Sequence, residues 1–426
     1  MRALAFVSIV LLARISSAAP TETLAIEHAR IHAGDGKAIE DGTLIVRNGA
    51  VAALGPAASV TIPAGARRID GKGLWLTPGL IDAESSTGLA DVYMEKSTVE
   101  VALDDSYDAI RAAYQVVDGF NPRAAVIPTT RLEGVTGTVI VPGGGLISGR
   151  GAAVRLYGTR VPDMVVRSPV AVYAQMGAGG REAGWGTHGG QLMRLRELLD
   201  DVRQYARRRG DFERNQMRKV AASRLDLEAL IPVVEGRLPL VAEVNRAADI
   251  QAILRLGREE KLDLILTGVE EGWLVALDLA VNKVPVIVSP LSNLPGQFES
   301  LSARLDNAAL LVKAGVKVAL SPRSRSDHFS RTLRLEAGNA VANGLPWEAA
   351  LTAVTRAPAE MFGVAKEMGG LVVGAPADFV LWTGDPFEPL TRPRAVYIGG
   401  VEMPKVSRQT LLRDRYKSLK GLRPAP

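Results

Sequence analysis

Thr77-Pro78-Gly79-Leu80-Ile81-Asp82-Ala83-Glu84-Ser85-Ser86-Thr87-Gly88-Leu89 is the stretch whose reading decides the fold. Gly71-Lys72-Gly73-Leu74-Trp75-Leu76 runs apolar into its Pro-Gly turn, and Leu80-Ile81 continues as a short apolar run that ends in acid. Side chains two apart on a strand point the same way, so Asp82, Glu84 and Ser86 are expected on one face. Carboxylates closing an otherwise apolar strand mark a candidate site.

Outward from this stretch the chain changes character on each side. Residues 22 to about 70 alternate short β-rich runs with turn chemistry, and Asn48-Gly49 between two such runs is a strong hairpin signal. From Pro78 to about residue 365, strand-like and helix-like segments alternate, the pattern of a parallel sheet wrapped by helices. Candidate strands are 74–82, 125–128, 137–141, 170–173, 238–244, 262–266, 284–288 and 316–320. Eight such runs suit a closed β/α barrel. Helices are expected at 107–117, 247–256, 273–280 and 303–314. A charged stretch, 191 to about 230, carries Leu192, Leu195, Leu198, Leu199 and Val202 at helical spacing. It reads as a helical excursion between the fourth and fifth strands, over the barrel mouth or its rim. After a helix-rich stretch, residues 369–382 return to short strands.

Composition sets the outer limits. The 426 residues suffice for one large barrel and a smaller domain, and 47% hydrophobic with 23% charged content is ordinary for a globular chain. Arg2, an apolar run from Ala3 to Ala13, Arg14 and Ser16-Ser17-Ala18-Ala19 have the layout of a cleaved secretory signal peptide. That run is shorter than the roughly 20 residues a permanent span needs, so no stable membrane insertion is expected. The chain has no cysteine, which excludes disulfides and lipoprotein attachment. A periplasmic location is expected, with secretion the alternative. The signal segment carries two of the basic residues behind the formal charge of +5, and the rest are spread over solvated faces such as Arg207-Arg208-Arg209. Nucleic-acid binding, which concentrates basic charge among aromatics, is not expected.

Pro78-Gly79-Leu80-Ile81-Asp82 resembles the first barrel strand of the amidohydrolase superfamily, which continues Asp-x-His-x-His. Two further stretches resemble that family. Glu243-Val244-Asn245-Arg246-Ala247-Ala248-Asp249-Ile250 is similar to its fifth-strand motif, and Gly369-Gly370-Leu371 through Ala377-Asp378-Phe379-Val380 to its closing segment. Asn121-Pro122-Arg123, Val126-Ile127-Pro128 and the run Gly143 to Gly149 carry a likeness to the periplasmic imidazolonepropionase- and prolidase-like branch. The resemblance implies an α/β fold: a (β/α)8 TIM-like barrel plus a small discontinuous β-sandwich made from both chain ends. The expected division is signal peptide 1–19, sandwich 20–76, barrel 77–366, sandwich again 367–405 and basic tail 406–426.

By that resemblance the protein is a hydrolase of amide, cyclic amide or peptide-like C–N bonds. The family's metal is held by two first-strand histidines, a lysine or glutamate of strand four and histidines of strands five and six; an aspartate of strand eight moves the proton. Carried over, these positions hold Glu84, Ser86, Glu243, Gly268 and, for the aspartate, Arg323, and no lysine occurs between Leu156 and Leu195. The four histidines, His28, His32, His188 and His328, fall elsewhere. No metal or other cofactor is therefore expected; zinc or another divalent ion would return if the family chemistry survives. Asp82, Glu84, Glu243 and Arg323 are the candidate site, with the Arg323 guanidinium replacing the metal charge between Glu84 and Glu243. Asp327 and His328 are the alternative acid and base. Gly143-Gly144-Gly145 reads as a tight loop at the mouth.

Three functions compete. The first is a barrel with a degenerate metal site that binds a small molecule at its mouth, as a homo-oligomer or paired with a catalytically active relative. The second is an active amidohydrolase or dipeptidase using unconventional ligands. The third takes Glu84 and Glu243 as a glycosidase-like carboxylate pair.

Overall fold

The computed structural model describes residues 22–34, 36–102, 108–322 and 327–417. The expected signal segment and Arg323 lie outside the described residues. The N-terminal strands are β1 (Leu24–His32), β2 (Ala38–Arg47), β3 (Ala50–Pro56), β4 (Arg67–Asp70) and β5 (Trp75–Pro78). Asn48 and Gly49 join β2 to β3 with φ of 53° and 77°, the left-handed pair that a two-residue hairpin of matching twist requires. Eight strands build the barrel sheet: β6 (Leu80–Ser85), β7 (Val135–Ile140), β8 (Ile147–Arg155), β9 (Val165–Gln175), β10 (Leu240–Val244), β11 (Leu264–Gly268), β12 (Val286–Val288) and β13 (Val318–Leu320). Three more close the chain: β14 (Phe379–Trp382), β15 (Pro393–Ile398) and β16 (Val401–Glu402).

Both chain ends enter one sheet, ordered β16-β15-β14-β5-β1-β2-β3, with β4 also paired to β1. β5 runs antiparallel to β14, Pro78 opposite Phe379 and Trp75 opposite Trp382. The Pro-Gly step then carries the chain from this sheet into the barrel. Gly79 must be glycine there, because a Cβ would lie 2.0 Å from Thr136 Oγ1. Its amide donates to Asp378 O at 2.9 Å, tying the crossing point to β14.

The barrel sheet runs in order from β6 to β13, nearly closed, which fits a TIM-like barrel in a mixed α/β fold. One strand departs from the all-parallel pattern: β8 is antiparallel to both neighbours, β7 and β9. The expected strand at 125–128 is instead the start of a helix, Val126–Arg131. Short apolar runs are ambiguous between the two states, and Pro128 is tolerated in a first helical turn, where its missing N–H is not needed. The true third strand lies in the glycine-rich region. Gly151 is there because a Cβ would meet Tyr173 Cε2 on β9 at 2.6 Å, a packing need and not a turn. The expected helix at 107–117 is also absent from the described residues. Ile110 and Gln115 bridge to Ile147 and Arg150 of β8, and Asp108 Oδ1 accepts the Ile110 amide at 2.9 Å in a local turn.

Inside the barrel, Ile81, Ala83, Val139, Ala153, Tyr173, Val241, Ile265, Ile287 and Ala319 form one cluster. Helices pack on the outer faces, among them Ala247–Glu260, Asn307–Lys313 and Leu333–Ala342. The charged excursion comprises helices His188–Arg207, Arg209–Glu213 and Arg224–Val234, between β9 and β10. Buried Gln191 donates to Gln175 O at 3.3 Å and Gly177 O at 2.9 Å, stitching the first of these to the end of β9.

Arg155 links barrel and end sheet through Asp378, Nε to Oδ2 at 2.9 Å, and Asp378 Oδ1 accepts the Gly399 amide at 2.6 Å. Removing the buried carboxylate leaves Arg155 Nε and the Gly399 amide without this acceptor, while Arg155 Nη2 keeps its bond to Glu367 O. Asp378→Ala is expected to lower unfolding free energy by about 2–3 kcal/mol in urea titration, and Asp378→Asn by less.

Candidate active site

Where the barrel strands end, a cavity of about 270 Å³ opens. Its polar lining residues include Glu84, Ser86, Tyr93, Tyr173, Gln175 and Glu243, and its apolar ones are Val99, Val101, Ala102, Val141 and Pro142. Gly143 and Gly144 also line it, so the glycine run is a loop at the mouth. Glu84 comes from β6, Glu243 from β10, and Tyr173 and Gln175 from β9, so the topology gathers residues far apart in sequence. Thr267 Oγ1 of β11 donates to Glu84 Oε2 at 2.5 Å, reaching across the barrel. Tyr93 donates to Ser86 Oγ at 3.2 Å. Burial and, second, the Glu84 charge hold the Tyr173 phenol well above its ordinary pKa.

Asp82 does not join Glu84 and Ser86 on that face. The β6–β7 register shifts between Asp82 and Ser85, and the irregularity breaks the two-residue alternation. Asp82 is instead enclosed by hydroxyls: Ser321 Oγ lies 2.6 Å from Oδ1, Ser330 Oγ 2.6 Å from Oδ2, and the Glu84 amide donates to Oδ1 at 3.2 Å. Ser330 continues to Ser85 Oγ at 2.7 Å and Thr87 Oγ1 at 3.2 Å. Burial pushes the Asp82 carboxyl up to about 6, against the opposing pull of those three donors. A second buried acid sits behind it. Glu336 Oε2 accepts the Leu291 amide at 2.8 Å, and burial first, then the nearby Asp82 charge, raises Glu336 to about 7. Ser321, Ser330, Thr267, Tyr173 and Glu336 were not singled out from sequence. Thr267, Ser321 and Tyr173 sit at or near apolar strand ends, whereas Ser330 lies in the 3-10 turn Asp327–Thr332 and Glu336 in the helix after it; the hydroxyl contacts to Glu84 and Asp82 span 183 to 248 residues.

Of the other candidates, Gly268 ends β11 with φ of 89° and offers no side chain. Asp327 opens a 3-10 turn, Asp327–Thr332, and His328 is exposed with its ring 4.5 Å from that of Phe329. His28 pairs with Asp41 on β2, and His32 with Glu348, both at 2.9 Å and away from the cavity. His188 lies 3.0 Å from Glu299 Oε1 and 3.8 Å from Asp249 Oδ2, clamping a helix start to the rim. No three His, Cys, Asp or Glu side chains among the described residues are grouped to hold a metal ion.

Residues 234–404 match the model of the amidohydrolase family, and with the barrel they support the amidohydrolase superfamily. Amidohydrolase tasK of Hapsidospora irregularis is 25% identical over 406 residues, covering 86% of this chain and 40% of that protein. The chain thus spans about two-fifths of that curated relative's length. Among solved structures, an amidohydrolase from Thermotoga maritima is 24% identical with a TM-score of 0.80, covering 90% of this chain and 100% of its own. An adenosine deaminase from Xanthomonas campestris with bound zinc is 18% identical with a TM-score of 0.51, over 93% of this chain and 99% of that one. These similarities to solved structures carry the fold.

The two buried acids make a signed prediction. Their folded pKa values lie above the roughly 4 of an unfolded carboxyl, so between about pH 4 and 7 the native state holds protons the unfolded chain has lost. Their contribution to stability therefore falls as pH rises through that window. Asp82→Asn or Glu336→Gln should make the stability-against-pH slope less negative than in the wild type, by about 3 kcal/mol at most between pH 4 and 8. Urea midpoints across that range check it; an unchanged slope contradicts the assignment.

Proposed function

We propose that this protein is an amidohydrolase-fold member whose barrel mouth takes a small molecule without the family's metal. The kind of chemistry its relatives suggest is hydrolysis of C–N bonds, and here that site is altered or noncatalytic. The observation that carries the reading is the donor set. At the positions of the family ligands stand Glu84, held by the Thr267 hydroxyl, Ser86, Glu243 and the side-chain-free Gly268. A tight divalent site in such a barrel needs three or more donors converging on one point. Hydroxyl and glycine replace two of them, and the fourth-strand position that would bridge metals lies on β9, whose cavity-lining residues are Tyr173 and Gln175. The residues present do not fit the metal.

What these residues can do is bind. A cavity lined by both polar and apolar residues suits a small polar ligand with an apolar group. The reading extends to a periplasmic setting and to a partner, either a second copy or an active relative that supplies the chemistry this site lacks. No helix among the described residues is long and apolar enough to cross a membrane.

Metal content of the natively purified chain tests the proposal. Less than about one-tenth of an equivalent of zinc, manganese or iron is expected by mass spectrometry, even after incubation with excess zinc followed by desalting. Near-stoichiometric metal, lost on Glu84→Gln or Glu243→Gln, would sink it and restore a metal-dependent hydrolase.

A further inference from the structure

We propose that the Tyr173 hydroxyl is the hydrogen-bond donor that anchors a ligand's carbonyl oxygen in the barrel-mouth cavity, a positioning role that rests on the small-molecule reading above. Tyr173 is only 4% exposed, and its hydroxyl has no hydrogen-bond partner among the described residues. A buried hydroxyl left in that state is costly, and native proteins satisfy nearly all such groups. The cavity it lines is where a partner can come from.

The position is built, not incidental. Gly151 on β8 leaves the flank of the ring clear, since any Cβ there would collide with Cε2 at 2.6 Å. Gln175 lies two residues along the same strand and lines the same cavity, which puts its carboxamide on the same face as the phenol. Burial and the neighbouring Glu84 charge keep the phenol protonated, so it acts as a donor and seeks an acceptor. Val99, Val101, Val141 and Pro142 line the same cavity. An acceptor oxygen for the phenol together with an apolar group for the valines and proline is the chemistry of a small, uncharged acyl compound. The cavity volume of about 270 Å³ suits a small molecule.

The experiment uses the full mature chain and three uncharged probes, the N-acetyl amides of glycine, alanine and proline, titrated by ligand-observed NMR. The proteins are the wild type, Tyr173→Phe and the cavity-filling Val99→Trp. At least one probe should bind the wild type, weaken about fivefold to tenfold with Tyr173→Phe, and lose binding with Val99→Trp. The urea midpoint of Tyr173→Phe should equal or exceed that of the wild type, because the removed hydroxyl had no partner in the protein. A clear fall in that midpoint would mean the hydroxyl is bonded internally and would overturn the proposal. Equal affinity for wild type and Tyr173→Phe would also overturn it, while loss in Val99→Trp alone would leave the cavity as a binding site. Binding untouched by Val99→Trp would sink the cavity reading itself. Failure of all three probes to bind the wild type at tens of millimolar would overturn the acyl ligand class.

Discussion

An eight-stranded barrel must join its first and last strands, and in this protein the join is made by side chains. Among the described residues β6 and β13 form no ladder, while Ser321, just beyond β13, sits 2.6 Å from Asp82 Oδ1 and 2.8 Å from the Glu84 carbonyl. A serine has one proton to give, so it serves one of these acceptors at a time. When Asp82 carries its own proton, it can donate to Ser321, whose hydroxyl is then free for the Glu84 carbonyl. The raised Asp82 pKa and the closure of the barrel are thus two views of one arrangement. Ser330 completes it by drawing the segment after β13 onto the same carboxylate.

That seam decides what the mouth can contain. Because the register of β6 shifts after Asp82, the acid that ends the apolar run is spent on structure, and the next one, Glu84, turns into the cavity. Thr267 then fixes Glu84 from the far wall. The protein keeps acidic groups at both places, yet in opposite roles: one shut away from solvent within hydroxyls, the other facing a space a ligand can enter. Charge in the first place weakens the fold, and charge in the second shapes what the cavity accepts.

The remaining architecture holds this geometry still. Pro78 and Gly79 pass the chain from the end sheet to the barrel where Thr136 leaves no room for a side chain. Arg155 reaches back from β8 to Asp378 on the closing segment, so the end sheet and the barrel share a buried ion pair. On the other side of the mouth, Gln191 and the His188–Glu299 contact fasten the charged excursion to the ends of β9 and its neighbours. Rigid walls let a single hydroxyl group, that of Tyr173, be aimed at one point.

Local chemistry alone determined a good deal. Alternating apolar runs and turn residues placed most barrel strands, Asn48-Gly49 fixed a hairpin, and the Pro-Gly-Leu-Ile-Asp run marked the entry to the barrel, because these depend on neighbours a few residues away. The acids and hydroxyl that line the mouth, Glu84, Glu243 and Ser86, were likewise legible as identities. Tertiary structure decided the rest. The helix at Val126–Arg131 was expected as a strand because a short apolar run fits either state, and the antiparallel strand Ile147–Arg155 went unassigned because Gly151 answers to a ring on another strand, not to a turn of its own. That Asp82 parts company with Glu84, and that Ser321, Ser330, Thr267 and Tyr173 surround them, follows from a register shift and from contacts between residues far apart in the chain. Such contacts are set by packing, which no local pattern records.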